Sequence, residues 1–409
     1  MTRKIRIDVV IFLVIASILL SVLATAYVIN NRISSLTEVQ SVYTKLTHID
    51  EIVSEHYIGS IDSERLSDEI AKGYMNGLVD SYSQYYTKEE YKAYMNSVSG
   101  EYEGIGIQTA YNAETNAVII SSVSSGSPAG NAGLKVGDRI VSVNDVMAMN
   151  STYEEITELL RLALGQTATI TVMRNGAERT CTVTAMEFKQ NTVSYVIMGY
   201  VGYISISSFN DLTPDYFSNA VDSLINQGAR NLIIDVRNNP GGSIESVVGC
   251  VDKIVSTGTV VTATYKRSEG EDSVSTKVVY EAMTAQETDI PIVVLCNSGT
   301  ASGGELFAAA LYDFGKATLV GNTTYGKGTG QSFYKLPDGS YIKLTDLTYF
   351  PPSGAGFNLV GITPEVSVEL KDTQNDISLL GENYANDPYI LKAFETLGGD
   401  SGVLETITR

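Results

Sequence analysis

One serine and one lysine carry the chemistry this chain can be read to perform. Ser302 stands in Asn297-Ser298-Gly299-Thr300-Ala301-Ser302-Gly303-Gly304-Glu305, between an apolar run, Ile292-Val293-Val294-Leu295, and the helical text Leu306-Phe307-Ala308-Ala309-Ala310-Leu311. That order reads as strand, loop, helix. A hydroxyl at a helix start lies among backbone N–H groups that have no intrahelical partner, and such groups can stabilise a developing oxyanion. A serine nucleophile also needs a base. No histidine occurs from Tyr57 to Arg409, and the two that exist, His48 and His56, lie in an N-terminal helical stretch, so a Ser-His-Asp arrangement would have to borrow from there. A lysine is the simpler base, because burial in apolar surroundings lowers its pKa until the neutral amine can take the serine proton. Lys327 follows twenty-five residues later, flanked by Gly326 and Gly328, which let its backbone pass close to another segment. Read without company, Ser302 is only a helix cap and Lys327 a surface residue.

The elements that must hold such a pair alternate. After Phe188, Val201 to Ile206 reads as a strand, Thr213-Pro214 opens a helix closed by Gly228, and Leu232 to Val236 reads as a strand buried on both faces. The turn Arg237-Asn238-Asn239-Pro240-Gly241-Gly242-Ser243 then leads into another helix. Together with Gly321 to Gln331, this text resembles the carboxyl-terminal processing proteases, also called tail-specific proteases. The resemblance covers about 96 to 370, more weakly the helices before it. It implies a crotonase-like α/β core in which Ser302 is the nucleophile, Lys327 the base and Gln331 the residue that positions the base. It further implies an oxyanion hole from the backbone N–H groups of Gly241 or Gly242 and Gly303. Gly303-Gly304 departs from the Ala and Ser of the family pattern, and two glycines are expected to loosen the helix start. Glu305 and Asp313 are expected to be structural partners.

Upstream, Gly104-Ile105-Gly106-Ile107 and the run Gly133-Leu134-Lys135-Val136-Gly137-Asp138-Arg139-Ile140 resemble a PDZ domain over about 96 to 188. Glycines there leave N–H groups free for a carboxylate, and a peptide is expected to add as a strand along Ile105 to Thr109. An amphipathic helix from Tyr153 to Leu164 is expected to form the other wall, with Arg161 on it as a candidate relay to the core.

The remaining text sets the context. Val9 to Ile29 is an uncharged run of about 21 residues, long enough to cross a bilayer. Arg3, Lys4 and Arg6 precede it, so residues from 32 onward are expected outside the cytoplasm, on a single-pass anchor whose cleavage is left open by Ala24-Thr25-Ala26. Residues 32 to 95 read as helical, a dimerisation element or a cap. The stretch 189 to 372 reads as the protease core and 373 to 409 as a linker with a terminal helix near Asp387 to Leu397. The expected architecture is therefore multidomain α/β.

With 28 Lys+Arg against 47 Asp+Glu the net charge is −19, and the basic residues form no long cluster, which excludes nucleic acid as an expected partner. Cys181, Cys250 and Cys296 are too few and scattered for a disulfide framework or a zinc site, and burial is expected for each. No metal or cofactor is expected. The expected function is serine endopeptidase action at unstructured carboxyl-terminal tails of extracytoplasmic proteins. The alternatives are a non-catalytic PDZ scaffold and thioester enolate chemistry on the same core.

Overall fold

The computed structural model describes residues 16–17, 19–23, 25, 41–113, 115–269, 272–284, 288–369 and 384–399. Most of the expected Val9 to Ile29 span lies outside them. Among the described residues no helix is long and apolar enough to cross a membrane. The chain divides at Ile70 into two compact units. In the first, residues 41–56 are helical, with Val42, Tyr43, Ile49 and Ile52 exposed. His48, exposed on this helix, bonds Glu51 at 3.1 Å.

The second unit holds the elements that carry Ser302 and Lys327. Its first full helix, Lys88–Ser99, starts at Thr87, whose hydroxyl accepts from Glu90 N while the Glu90 carboxylate accepts from Thr87 N. Gly100, at φ 73°, turns the chain out of that helix. Glu101–Gly104 then pairs antiparallel with Met186–Lys189, so the two chain passages into and out of the PDZ-like module form one two-stranded neck.

Within the module the sheet runs Ile107–Asn112, Ala117–Val123, Arg139–Val143, Thr167–Arg174, Ala177–Thr184. Ile107–Asn112 is an edge strand, paired only to Ala117–Val123 among the described strands. Ile120, Val143, Ile156 and Ile170 are fully buried between sheet and helix. Asp138, itself buried, bonds Arg174 at 2.6 Å, which closes the far side of the module. The groove helix is shorter than the sequence suggests, Tyr153–Leu160 instead of reaching Leu164. Ala163 N donates to Gln166 Oε1 at 3.0 Å, so the chain has already left helical pairing there.

The core is a six-stranded sheet in the order Val193–Met198, Val201–Ile206, Asn231–Asp235, Ile292–Cys296, Ala317–Gly321, Val366–Ser367. Only its first pair is antiparallel. The three inner strands are buried almost throughout, as their unbroken apolar text requires. Helices Thr213–Asn226, Ile244–Asp252 and Gly303–Asp313 cover one face with Phe217, Leu224, Val247 and Phe307. The other face is closed by Pro388–Thr396 through Tyr389, Ile390, Ala393 and Phe394, so the C-terminal helix is part of the core and not an appendage. Cys250 and Cys296 are buried; Cys181 is only half-buried.

A second sheet overlies the site. Tyr341–Phe350 pairs with Thr329–Lys335 and Gly258–Glu269, and its outer end takes Gln84–Tyr86 in antiparallel register. The segment before the PDZ-like module is therefore woven into the α/β part of the chain, across the boundary expected at 95.

Candidate active site

Each piece of the site begins where a parallel strand ends. Asn231–Asp235 runs into the Gly-Gly turn. The turn is fixed from below by Arg237, whose guanidinium bonds Asp235 at 2.6 Å and Asp387 at 2.8 Å, with all three groups buried. Asp387 also caps the last helix by accepting from Tyr389 N. Arg237 lies 4.6 Å from the centre of the Tyr389 ring. From above, Asn239 holds the turn: its Nδ2 donates to Ile206 O at 2.8 Å, its Oδ1 accepts from Gly241 N at 2.8 Å, and its carbonyl accepts from Ala301 N at 2.9 Å. That last bond stitches the Gly-Gly turn to the serine loop.

Ser302 sits after the Ile292–Cys296 strand with φ 54° and ψ −117°, a backbone shape that side-chain-bearing residues rarely adopt. Such strain costs on the order of 1–3 kcal/mol and persists only where surroundings impose it. Here they do. Ser302 N donates to Glu305 Oε2 at 2.9 Å, and the Asn297 side chain, accepting from Asn238 N and Gly299 N, pins the loop.

The two glycines after Ser302 have a steric reason. A Cβ on Gly303 would meet Gly242 N at 3.1 Å and Val247 Cγ2 at 3.2 Å; one on Gly304 would meet Asn239 O at 3.1 Å. The helix start is thus packed against the Gly-Gly turn and not loosened as the composition suggests. Gly241 N is committed to Asn239, whereas the N–H groups of Gly242 and Gly303 have no acceptor among the described residues. They lie side by side next to Ser302.

Lys327 enters on the loop after Ala317–Gly321. Glu305, fully buried, ties this loop to the serine loop: Oε1 accepts from Thr324 Oγ1 at 2.5 Å and Gly326 N at 2.7 Å, and Oε2 from Lys327 N at 2.8 Å as well as from Ser302 N. Sequence reasoning placed Glu305 among structural partners; its function as a clamp between both halves of the site was not visible. Asp313 accepts from Ser353 N at 2.9 Å, remote from this cluster.

The Lys327 ammonium donates to Gln331 Oε1 at 3.2 Å and rests 4.2 Å from the centre of the Tyr82 ring. Burial pushes its pKa down, the charge of Lys343 adds to that, and Asp80 opposes it. Gln331 is held in turn by donating to Thr345 Oγ1 at 3.2 Å.

Ser302 Oγ and Lys327 Nζ do not bond each other among the described contacts. Ser302 Oγ is 2.9 Å from the Tyr349 phenol, which donates to Lys327 O at 2.5 Å. A carbonyl only accepts, so the phenol proton goes there and the serine proton points to the tyrosine oxygen. Burial raises the Tyr349 pKa, keeping the phenol neutral. Neither Tyr349 nor Tyr82 was singled out in the sequence; only strand register brings them here.

The expected tail groove is also formed. Gly104, Ile105, Gly106, Ile107, Leu160 and Ala163 line a cavity of about 690 Å³. Ile105 N and Gly106 N meet no acceptor among the described residues, and Gly106, at φ 76°, is so close to Ser127 that a Cβ would clash at 2.3 Å. Arg161 follows the groove helix, is largely exposed and pairs with Glu158 at 3.4 Å, with no bridge to the core among the described residues.

Comparison with known proteins agrees in family. The model of peptidase family S41 matches residues 200–368, and that of the PDZ domain matches 104–185. A probable CtpA-like serine protease of Staphylococcus aureus is 31% identical over 367 residues, 89% of this chain and 73% of that protein. The carboxy-terminal processing protease CtpA of Bacillus subtilis is 31% identical over 369 residues, covering 88% and 74%. Among solved structures, a photosystem II D1 C-terminal processing protease matches at TM-score 0.46 and 24% identity, over 79% of this chain and 86% of the other.

Proposed function

Because the chain belongs to the carboxy-terminal processing proteases of peptidase family S41, a serine protease with a PDZ domain that cleaves proteins near their C-termini, we propose that Ser302 and Lys327 are its dyad and Gly242 and Gly303 its oxyanion hole. One observation carries the assignment: Ser302 is held in a strained conformation beside two N–H groups that meet no acceptor among the described residues, and a half-buried lysine stands in the loop clamped to it.

The steps follow from these groups. Neutral Lys327 Nζ takes the Ser302 hydroxyl proton as Oγ bonds to the scissile carbonyl carbon, and the carbonyl π pair moves onto oxygen between Gly242 N–H and Gly303 N–H. Collapse breaks the C–N bond, and Lys327 returns the proton to the leaving amine. Water then repeats the sequence, its proton passing to Lys327, its oxygen to the acyl carbon, and the Ser302 oxygen recovering a proton as it leaves. Gln331 orients the amine. Gly241, with its N–H already used, shapes the turn without donating.

Ile105 N–H and Gly106 N–H suit a terminal carboxylate, with the tail adding beside Ile107–Asn112 and its last side chain between Ile105 and Leu160. We also assign the catalytic part to the outer face of a cytoplasmic membrane, supported by the uncharged Val9 to Ile29 run behind three basic residues, and self-association to the exposed apolar residues of the 41–56 helix. Turnover of a casein-like protein by the full chain, by Ser302→Ala and by Lys327→Ala tests the dyad: both variants should be inactive yet folded, and wild-type turnover by either refutes it. Equal kcat/KM for free and amidated tails refutes the groove assignment.

A further inference from the structure

The general base is not positioned by the protease core alone. We propose that Tyr82, from the segment preceding the PDZ domain, is a positioning residue for Lys327, its ring face receiving the ammonium between turnovers and favouring the charged form. The inference rests on the assignment of Lys327 as base. Its geometric ground is the 4.2 Å between Lys327 Nζ and the centre of the Tyr82 ring. That lies within the range in which a cation is attracted to an aromatic face, and the attraction grows as water is excluded.

The segment that carries the ring is fixed along its backbone, and the ring itself through its phenol. Tyr82 N donates to Asp80 Oδ1 at 3.1 Å, and Ser83, next along the chain, donates to Asp80 Oδ2 at 2.6 Å and accepts from Thr345 N at 3.0 Å. Gln84–Tyr86 continues as a strand paired to Lys343, Ile342 and Tyr341. The phenol donates to Tyr325 Oη at 3.1 Å, and Tyr325, two residues before the base, is anchored by its N–H to Thr300 O at 3.0 Å, two residues before the nucleophile. Tyr82 is thus registered against both catalytic loops.

Its electrostatic effect is one of several on the amine. Lys343, from Tyr341–Phe350, disfavours the ammonium, and Asp80 favours it. Glu305, from the nucleophile helix, accepts from Lys327 N; Tyr349 donates to Lys327 O; Tyr325 lies in the same loop. Gln331, uncharged, accepts from the amine. The Tyr82 ring adds to the side of Asp80. Removing it while keeping apolar bulk should therefore lower the base's pKa and supply neutral amine at lower pH.

The test reads kcat/KM against pH for a quenched peptide with a free carboxyl terminus, using the full chain. Tyr82→Phe should keep the wild-type acid limb, because the ring remains. Tyr82→Leu should move it down by about one pH unit, or about 1.4 kcal/mol. Phenylalanines carrying one to three ring fluorines at position 82 weaken the π face without changing shape, and should lower the limb stepwise even where Tyr82→Leu folds poorly. A limb unmoved across the fluorine series, a rise in Tyr82→Leu, or a Tyr82→Phe shift as large as that of Tyr82→Leu overturns the proposal. Lys327→Ala, run in parallel, separates the two claims: turnover there refutes the base itself, and an inactive Lys327→Ala beside an unmoved limb refutes only Tyr82.

Discussion

Replacing Glu305 by glutamine changes one buried oxygen to an NH2 group and leaves shape intact, so its effect isolates the clamp. Each carboxylate oxygen accepts two donors, Thr324 Oγ1 and Gly326 N on one, Ser302 N and Lys327 N on the other. The amide nitrogen should settle toward Thr324, since a hydroxyl can turn to accept, whereas Ser302 N and Lys327 N can only donate. Gly326 N–H is then left facing a donor inside a buried site. A buried donor stripped of its acceptor costs about 1–3 kcal/mol. Gly326 adjoins Lys327, so most of that cost appears as misplacement of the base, and kcat/KM should fall by about tenfold to a hundredfold, with KM changing little. Peptide hydrolysis measures the rate and thermal unfolding the stability, where a loss of no more than about 3 kcal/mol is expected. Activity within threefold of wild type would show that the two loops hold their positions without Glu305 and would refute the clamp.

Three further outcomes follow from the same geometry. Since burial and Lys343 depress the Lys327 pKa, the catalytic neutral amine is lost as pH falls through that lowered value. Proteolysis should therefore rise with pH, with the rise complete below the ordinary lysine pKa, and a rate flat with pH contradicts a lysine base. Gly303→Ala gains helix propensity of about 1 kcal/mol but puts a Cβ 3.1 Å from Gly242 N; kcat should drop at least tenfold while thermal stability is held, and an unchanged kcat would place the oxyanion elsewhere. Tyr349→Phe removes the acceptor that draws the serine proton away from Lys327, so phosphonylation of Ser302 should quicken about fivefold, the worth of one neutral hydrogen bond; slower labelling would assign Tyr349 an activating role.

What the sequence revealed of this site, and what it hid, divides by distance along the chain. Ser302, Lys327 and the Gly241-Gly242 turn lie in short contiguous signatures next to apolar strands, where strand, loop and helix are fixed locally. The Glu305 clamp lies inside one of those signatures, yet its four bonds depend on how the Thr324 to Lys327 loop folds back, which local text does not specify. Tyr82 and Tyr349 reach the site through the pairing of Gln84 with Lys343 and of Gly330 with Leu347, a matter of register between segments separated by the whole PDZ domain or a hairpin. The choice of Gly242 over Gly241 as donor rests on one bond, which Gly241 N donates to Asn239 Oδ1. At the groove helix, amphipathic spacing persisted to Leu164 although the backbone left helical pairing after Leu160, because Gln166 offered Ala163 N a side-chain acceptor.

The dyad is tested most directly by covalent labelling of the full chain with a fluorophosphonate, reading adduct mass, modified peptide and rate as pH is raised. A single adduct on Ser302 is expected, formed at a rate that climbs as Lys327 loses its proton and is abolished in Lys327→Ala. An adduct on another serine, or labelling of Lys327→Ala at the wild-type rate, would contradict it.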